Sequence, residues 1–176
     1  MTLDPPLSAD DHLGGPDDAP VTIVHYGDFE CPYSKDVHDL VEEIRDTHPM
    51  GIRFAFRHFP LRPHPNALAA AIAAEAAARQ GGFWTYRDRL YDHQLQLRPD
   101  QLVGHAEAVG LDGGAVKEAL DTEAGKAEIL ARKKQAVASG VGSTLGLWID
   151  DVWYEEDALE EAVIQKVIYP LREAGP

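Results

Sequence analysis

The hydrophobic period of each stretch constrains this chain's fold more than any other feature. "VTIVHYGDF" at 21–29 is a β-branched and aromatic run bounded by Pro20 and Gly27, which suits a buried strand. Val37, Leu40, Val41 and Ile44 then fall at i, i+3, i+4 and i+7, making one apolar helix face. "GIRFAFRHF" at 51–59 alternates Ile52, Phe54 and Phe56 against Arg53, Ala55 and Arg57, the period of a strand. From Pro60 the period is helical for about eighty residues. An Ala-rich segment from about Asn66 to Gln80 precedes "FWTYRDRLYDHQ", "PDQLVGHAEAVG", "GAVKEAL" and "TEAGKAEILARKKQAVASG". Glycines and a proline separate these pieces, so several short helices are expected. "TLGLWID" and "VWYEE" flank Asp150-Asp151 as an expected hairpin, and Leu159, Val163, Val167 and Leu171 mark an amphipathic closing helix. Residues 1–20 are rich in Pro, Gly and Asp without a period and read as an extended lead-in.

Strand, helix, strand, helical block, hairpin and helix add up to an α/β fold, a mixed sheet flanked by helices. The helical block, about 62–138, is expected as an insertion into a single domain spanning 1–176. A chain of 176 residues is long enough to bury a real core. Thirty acidic residues against 16 basic ones give a net charge of -14, which repels phosphate backbones and anionic membrane surfaces. Nucleic acid is therefore not an expected partner, and the acidity reads as a solvated surface. The first twenty residues lack the basic region and apolar run of a secretory signal. The most apolar stretch, "ALAAAIAAEAAA", is interrupted by Glu75 and too weakly apolar for membrane insertion. One cysteine forbids an intramolecular disulfide, so the expected localisation is cytoplasmic.

That cysteine lies in "GDFECPYSKD" at 27–36. Pro32 suits the first helical position, because its missing N–H would have no helical partner there. Cys31 is thereby placed at about the N-cap, where unpaired backbone N–H groups and the positive end of the helix dipole favour a thiolate. Such positions bring a cysteine's pKa from about 8.5 into a range of about 3.5 to 7.5. Free cysteines are also commonly buried and inert, and periodicity alone leaves both readings of Cys31 open. His25, six residues earlier, is a candidate base or charge partner for the thiolate, or else a strand histidine bonded to a backbone carbonyl. Glu30 reads as solvated. His25, His58, His64 and His93 have no ligand spacing, so no metal site is expected. Trp84, Trp148 and Trp153 read as core or hairpin packing.

"DHLGGPDDAPVTIVHYGDFECPYS" resembles the opening of the DsbA-like branch of the thioredoxin superfamily, whose members typically run from an acidic lead-in through a strand to F-E-C-P-Y-C. "FRHFPLRPHPNALAAAIAAEAAARQGGFW" resembles the family's next block, an R-H-F-P-L turn, an H-P turn and an Ala-rich helix. "SGVGSTLGLWIDDVWYEE" is similar to the third, G-V-x-G-T-P before an edge strand and hairpin. The resemblance runs from about Asp11 to the closing helix. It implies a thioredoxin-like fold with a DsbA-type helical insertion, and structural roles for His58 and His64. Two departures fall at its centre: the second active-site cysteine is Ser34, and the cis-proline expected after Thr144 is Leu145. A cis bond before a non-proline residue costs about 3 kcal/mol, so Thr144-Leu145 is expected to be trans and the loop opposite Cys31 reshaped.

These expectations define the candidate site: Cys31 as nucleophile, Pro32, Tyr33 and Ser34 shaping it, His25 assisting, and Thr144 with Leu145 at the substrate-binding loop. Without a resolving thiol, Cys31 can form a mixed disulfide but needs an external thiol such as glutathione to release it. The expected activity is thus monothiol thiol-disulfide exchange on a thiol- or disulfide-containing protein or peptide, with no bound cofactor. One alternative is a lapsed thioredoxin-fold module that binds a partner protein, favoured by the loss of both the second cysteine and the cis-proline. The other is single-cysteine peroxide reduction through a sulfenic acid.

Overall fold

The computed structural model describes residues 3–155 and 159–174. In chain order the elements are β1 His12–Gly14, β2 Val21–Gly27, α1 Pro32–Thr47, β3 Ile52–His58, α2 Ala67–Ala78, α3 Phe83–Asp92, α4 Pro99–Ala108, α5 Gly113–Asp121, α6 Lys126–Ala138, β4 Gly146–Ile149, β5 Val152–Glu155, α7 Leu159–Val163, a π-helical turn Ile164–Ile168 and α8 Tyr169–Ala174. They form two compact units. The first holds the described residues up to Gly27, Asp36–Arg57 and those from Gln135 onward; the second holds Asp28–Lys35 and His58–Lys134.

In the first unit the strands make one mixed sheet in the order β1-β3-β2-β4-β5. The strand at its edge corrects the sequence reading, which left residues 1–20 as an extended lead-in. His12, Leu13 and Gly14 pair antiparallel with Phe56, Ala55 and Phe54. Three residues joined by backbone hydrogen bonds show no hydrophobic period, which is why the pattern missed them. Gly15 lets the chain leave that edge: its φ is 81°, and a Cβ there would stand 2.1 Å from the carbonyl oxygen of Ile52.

The hairpin forms where expected. β4 and β5 pair antiparallel, Trp148 opposite Trp153, and Asp150 and Asp151 between them both take positive φ, as a two-residue turn requires. The turn is anchored to β2, with the Thr22 N–H donating to Asp150 Oδ1 at 2.8 Å and the Asp150 N–H donating to the Thr22 carbonyl at 3.0 Å.

Leu159, Val163, Val167 and Leu171 are all buried, as their spacing predicts. A strict repeat of four drifts by about 40° per step around an α-helix, which would carry the last of them off the face. The π turn in the middle takes up that drift. Pro170 supplies the local reason: it has no N–H to donate to the carbonyl four residues back, and its ring crowds that carbonyl. Widening relieves both, and the Tyr169 N–H instead reaches the Ile164 carbonyl.

Arg57 sits on β3 but not in solvent. It is 6 % exposed, and each guanidinium nitrogen is occupied. Nε and Nη2 grip the Asp11 carboxylate at 2.8 and 2.9 Å. Nη1 donates to the Tyr26 hydroxyl and the Pro5 carbonyl, both at 2.8 Å, and Nη2 to the Pro6 carbonyl at 3.0 Å. Arg57 thus ties Pro5, Pro6 and Asp11 of the lead-in to the sheet, beside the pairing of β1.

The second unit is helical from α2 to the body of α6, with breaks at Gly81-Gly82, Pro99, Gly110 and Gly125. α2 is buried on nearly every side, at Ala67, Ala70, Ala71, Ile72, Ala73, Ala74, Ala76 and Ala77, and it packs against α3, α4 and α5. Alanine permits this, because small side chains let neighbouring helices approach while retaining the best helix propensity. The one charge within α2, Glu75, faces the His58 ring at 3.1 Å.

Replacing Arg57 by Met should destabilise the protein by roughly 3 kcal/mol, because Asp11 is left as an uncompensated buried charge. Urea unfolding measures that loss, and limited proteolysis should find residues 5–11 newly cleavable. A variant with wild-type stability and an uncut lead-in would refute the assignment.

Candidate functional site

Cys31 immediately precedes α1, and its carbonyl accepts the Lys35 N–H at 3.2 Å, the first bond of the helix. It is therefore the N-cap, and Pro32 is the first helical residue, as the sequence predicts. The Cys31 N–H donates back to the Asp28 carbonyl at 3.2 Å, closing a tight turn. Burial alternates sharply here: Cys31 is 3 % exposed and Ser34 0 %, whereas Tyr33 is 57 % exposed.

Asp28 organises this turn. Its carboxylate is fully buried; Oδ1 accepts the Glu30 N–H at 2.8 Å, and Oδ2 accepts the Leu61 N–H at 2.8 Å and His64 Nδ1 at 2.7 Å. Its own N–H donates to Ser34 Oγ at 3.0 Å, and on the other side Ser34 Oγ lies 3.0 Å from the Tyr91 hydroxyl. Burial pushes the Tyr91 hydroxyl far above its ordinary pKa; the hydrogen bond to Ser34 and the charge of Arg87 oppose the shift, while Asp28 and Cys31 add to it. Tyr91 accordingly stays protonated.

Further contacts fix the turn from outside. Glu30, expected to be solvated, instead places both carboxylate oxygens on Asn66, one on its N–H at 2.7 Å and one on Nδ2 at 2.9 Å. This corrects the sequence reading: the acid serves the start of α2, where N–H groups lack helical partners. Gln94 Nε2 donates to the carbonyls of Phe29 and Cys31 at 2.9 and 2.8 Å. Phe29 packs between Tyr91 and His58, with ring centroids at 5.1 and 5.8 Å. A recess of about 330 Å³ lies alongside, lined by Lys35, Tyr91, His93 and Gln94, with Leu95 wholly exposed at its rim.

Cys31, Pro32, Tyr33 and Ser34 are thus brought together in the second unit. His25, Thr144 and Leu145 belong to the first. His25 is buried on β2, in register with Leu147 and edge-on to Phe56 at 5.5 Å. Thr144 is buried, and Leu145 lines an apolar groove of about 520 Å³ with Val37, Leu40, Ile44, Leu159 and Val163. Among the described residues the one cis peptide bond is Asp4-Pro5, so Thr144-Leu145 is trans, as expected. Sequence reasoning did not single out Asp28, Tyr91 or Gln94. Asp28 left one trace, an acid between Tyr26 and Phe29 at the end of an apolar strand.

A family model described as Thioredoxin matches residues 8–168. The chain belongs to the thioredoxin family. Its fold is similar to those of solved BdbD and DsbA structures. Oxidised BdbD from Bacillus subtilis superposes with a TM-score of 0.81 at 21% identity, over 92% of this chain and 93% of that one. For alpha-DsbA1 of Wolbachia pipientis the values are 0.78 and 19%, over 96% of each chain; for DsbA2 of Pseudomonas aeruginosa, 0.73 and 24%, over 97% and 100%. The curated relatives are of another kind. A stretch of Na(+)/H(+) antiporter NhaA 1 from Salinispora arenicola is 45% identical over 135 residues, 76% of this chain but 21% of that protein. In Na(+)/H(+) antiporter NhaA of Herminiimonas arsenicoxydans the match is 36% over 151 residues, 85% and 24%. The chain therefore spans about a fifth to a quarter of the length of these relatives. No helix among the described residues is long and apolar enough to cross a membrane.

Asp28→Ala leaves two backbone N–H groups and the His64 ring without their acceptor and should cost on the order of 3 kcal/mol. Glu30→Ala, whose partners lie nearer water, should cost about 1 kcal/mol. Denaturant unfolding of the two variants gives the comparison, and an Asp28→Ala loss no larger than that of Glu30→Ala would contradict the central place given to Asp28.

Proposed function

We propose that this chain is a thiol-disulfide oxidoreductase that works through Cys31 alone. The placement of the thiol carries the reading: Cys31 is the N-cap of α1, with Pro32 at the first helical position and the Ser34 hydroxyl where a C-x-x-C protein has its second sulfur. The DsbA-like fold supports it.

On a glutathionylated protein the chemistry runs in two exchanges. The Cys31 thiolate attacks the glutathione sulfur; a Cys31–glutathione bond forms, the old disulfide bond breaks, and the protein thiolate leaves. The thiolate of a second glutathione then attacks that mixed disulfide, giving oxidised glutathione and free Cys31. The substrate thiol gains the two electrons that the glutathione pair gives up. Net oxidation of a dithiol is not available to a chain with one cysteine acting alone. The reading requires no bound cofactor, takes thiol- or disulfide-containing proteins or peptides as substrates, and puts the reaction in the cytoplasm, where small thiols are kept reduced.

A second reading has its own support. The trans Thr144-Leu145 bond departs from the substrate-pairing loop that the resemblance implies, and the curated relatives carry their matching stretch within antiporters. In this reading the chain is a lapsed module that binds a partner protein, and a Na(+)/H(+) antiporter is that partner.

The two readings separate on one pair of measurements: ultraviolet titration of the thiolate against Cys31→Ala, and turnover of a glutathionylated peptide with added glutathione. Cys31-dependent turnover is expected, with a loss of more than about 100-fold in Cys31→Ala; a titration midpoint near that of a free thiol and no turnover would leave the binding module. Ser34→Cys should form an intramolecular disulfide and oxidise a reduced peptide without glutathione, scored by thiol counting. A variant that keeps two free thiols under oxidising conditions would show that position 34 does not stand in for the resolving sulfur.

A further inference from the structure

The recess of about 330 Å³ is lined by the turn His93–Gln96, and that turn is held on two sides. The Gln96 N–H donates to the His93 carbonyl at 2.7 Å and closes it. On one side Gln94 Nε2 donates to the carbonyls of Phe29 and Cys31 at 2.9 and 2.8 Å. On the other the Gln96 carbonyl lies 2.8 Å from Nε2 of His105, a residue of α4 that is 5 % exposed. His105 Nδ1 receives the Arg89 Nε–H at 3.2 Å. A guanidinium only donates and a carbonyl only accepts, so Nδ1 must carry a lone pair and Nε2 the proton. This arrangement admits the neutral ring in that one tautomer. An imidazolium would set a second N–H against that of Arg89 and a second positive charge beside it, and no carboxylate pairs with Arg89 among the described residues.

We propose that neutral His105 is a positioning residue for Cys31: it pins the turn that carries Gln94, and its protonation withdraws the pin, so that the backbone at Cys31 loosens in mild acid. The consequence for catalysis rests on Cys31 being the nucleophile; the pin does not. The charges that bear on His105 are those of Arg89, on α3, and of His93, whose ring lies 5.0 Å away and whose Nδ1 is turned to the Arg89 carbonyl at 3.0 Å. α2 and α5 also pack on α4, but Glu75 of α2 faces His58, and on α5 Lys117 pairs with Asp121 while Glu118 is exposed. Burial pushes the His105 pKa below its ordinary value; the hydrogen bond to the Gln96 carbonyl opposes the shift, and Arg89 and His93 add to it. An unfolded chain therefore takes up this proton first. The stability that the neutral ring contributes is complete above the ordinary histidine pKa of about 6.5 and is lost as the pH falls below it.

The test compares wild type, His105→Gln, His105→Ala and Gln94→Ala by amide hydrogen exchange across 93–98, corrected for intrinsic rates. In wild type, exchange there should be about tenfold faster at about pH 5 than at neutral pH, the weight of one hydrogen bond. Glutamine can accept through its oxygen and donate through its nitrogen without titrating, so His105→Gln should keep the neutral-pH protection in acid. His105→Ala should be fast at both. The second readout is alkylation of Cys31 at neutral pH, divided by the thiolate fraction from ultraviolet titration. His105→Ala and Gln94→Ala should each raise that rate roughly threefold and the double variant no further, because both break one connection. The same acid sensitivity in wild type and His105→Gln, or full protection in His105→Ala, overturns the pin. An opened turn in His105→Ala with an unchanged rate at Cys31 overturns its positioning role. Should wild type show no Cys31-dependent peptide turnover while these exchange and alkylation patterns hold, the oxidoreductase reading falls and the pin is upheld.

Discussion

A carboxylate with no exposed surface must have its oxygens occupied, and the second unit is arranged around meeting that demand at Asp28. Its oxygens accept from Glu30, Leu61 and His64, and its N–H reaches Ser34. The short stretch carrying Cys31 is thereby tied to the turn after β3 and to the approach to α2. Gln94 adds a second tie, through the carbonyls of Phe29 and Cys31. The thiol lies between those ties on a backbone with little freedom to move.

What could be read from the sequence was whatever depends on neighbours along the chain. The strand periods of β2 and β3, the hairpin around Asp150-Asp151 and the N-cap placement of Cys31 follow from residues a few positions apart. The links that make the site do not. His64 meets Asp28 across 36 residues, Tyr91 meets Ser34 across 57, and Gln94 meets Cys31 across 63. No local period encodes such pairs. Glu30 was misjudged for the same reason, since the helix start that it serves is formed by Asn66. β1 was missed because a strand of three residues is defined by its partner, not by its own pattern.

The relatives set the chain in two contexts. Its fold is shared with proteins of the DsbA type, and its sequence recurs as a minor part of much longer antiporters. At Ser34 the hydroxyl is integrated with both Asp28 and Tyr91, so the position is part of the hydrogen-bonded network of the turn.

The π turn at Ile164–Ile168 has a consequence for comparing sequences. It is, in effect, one residue more than an α-helix needs, inserted where Pro170 would otherwise strain the chain. Each residue turns an α-helix by about 100°, so the apolar positions before the turn and those after it share a face only while that extra residue is present. Where a relative has one residue fewer in this helix, the gap belongs within 164–168, and an alignment that places it elsewhere will pair buried positions with solvent-facing ones.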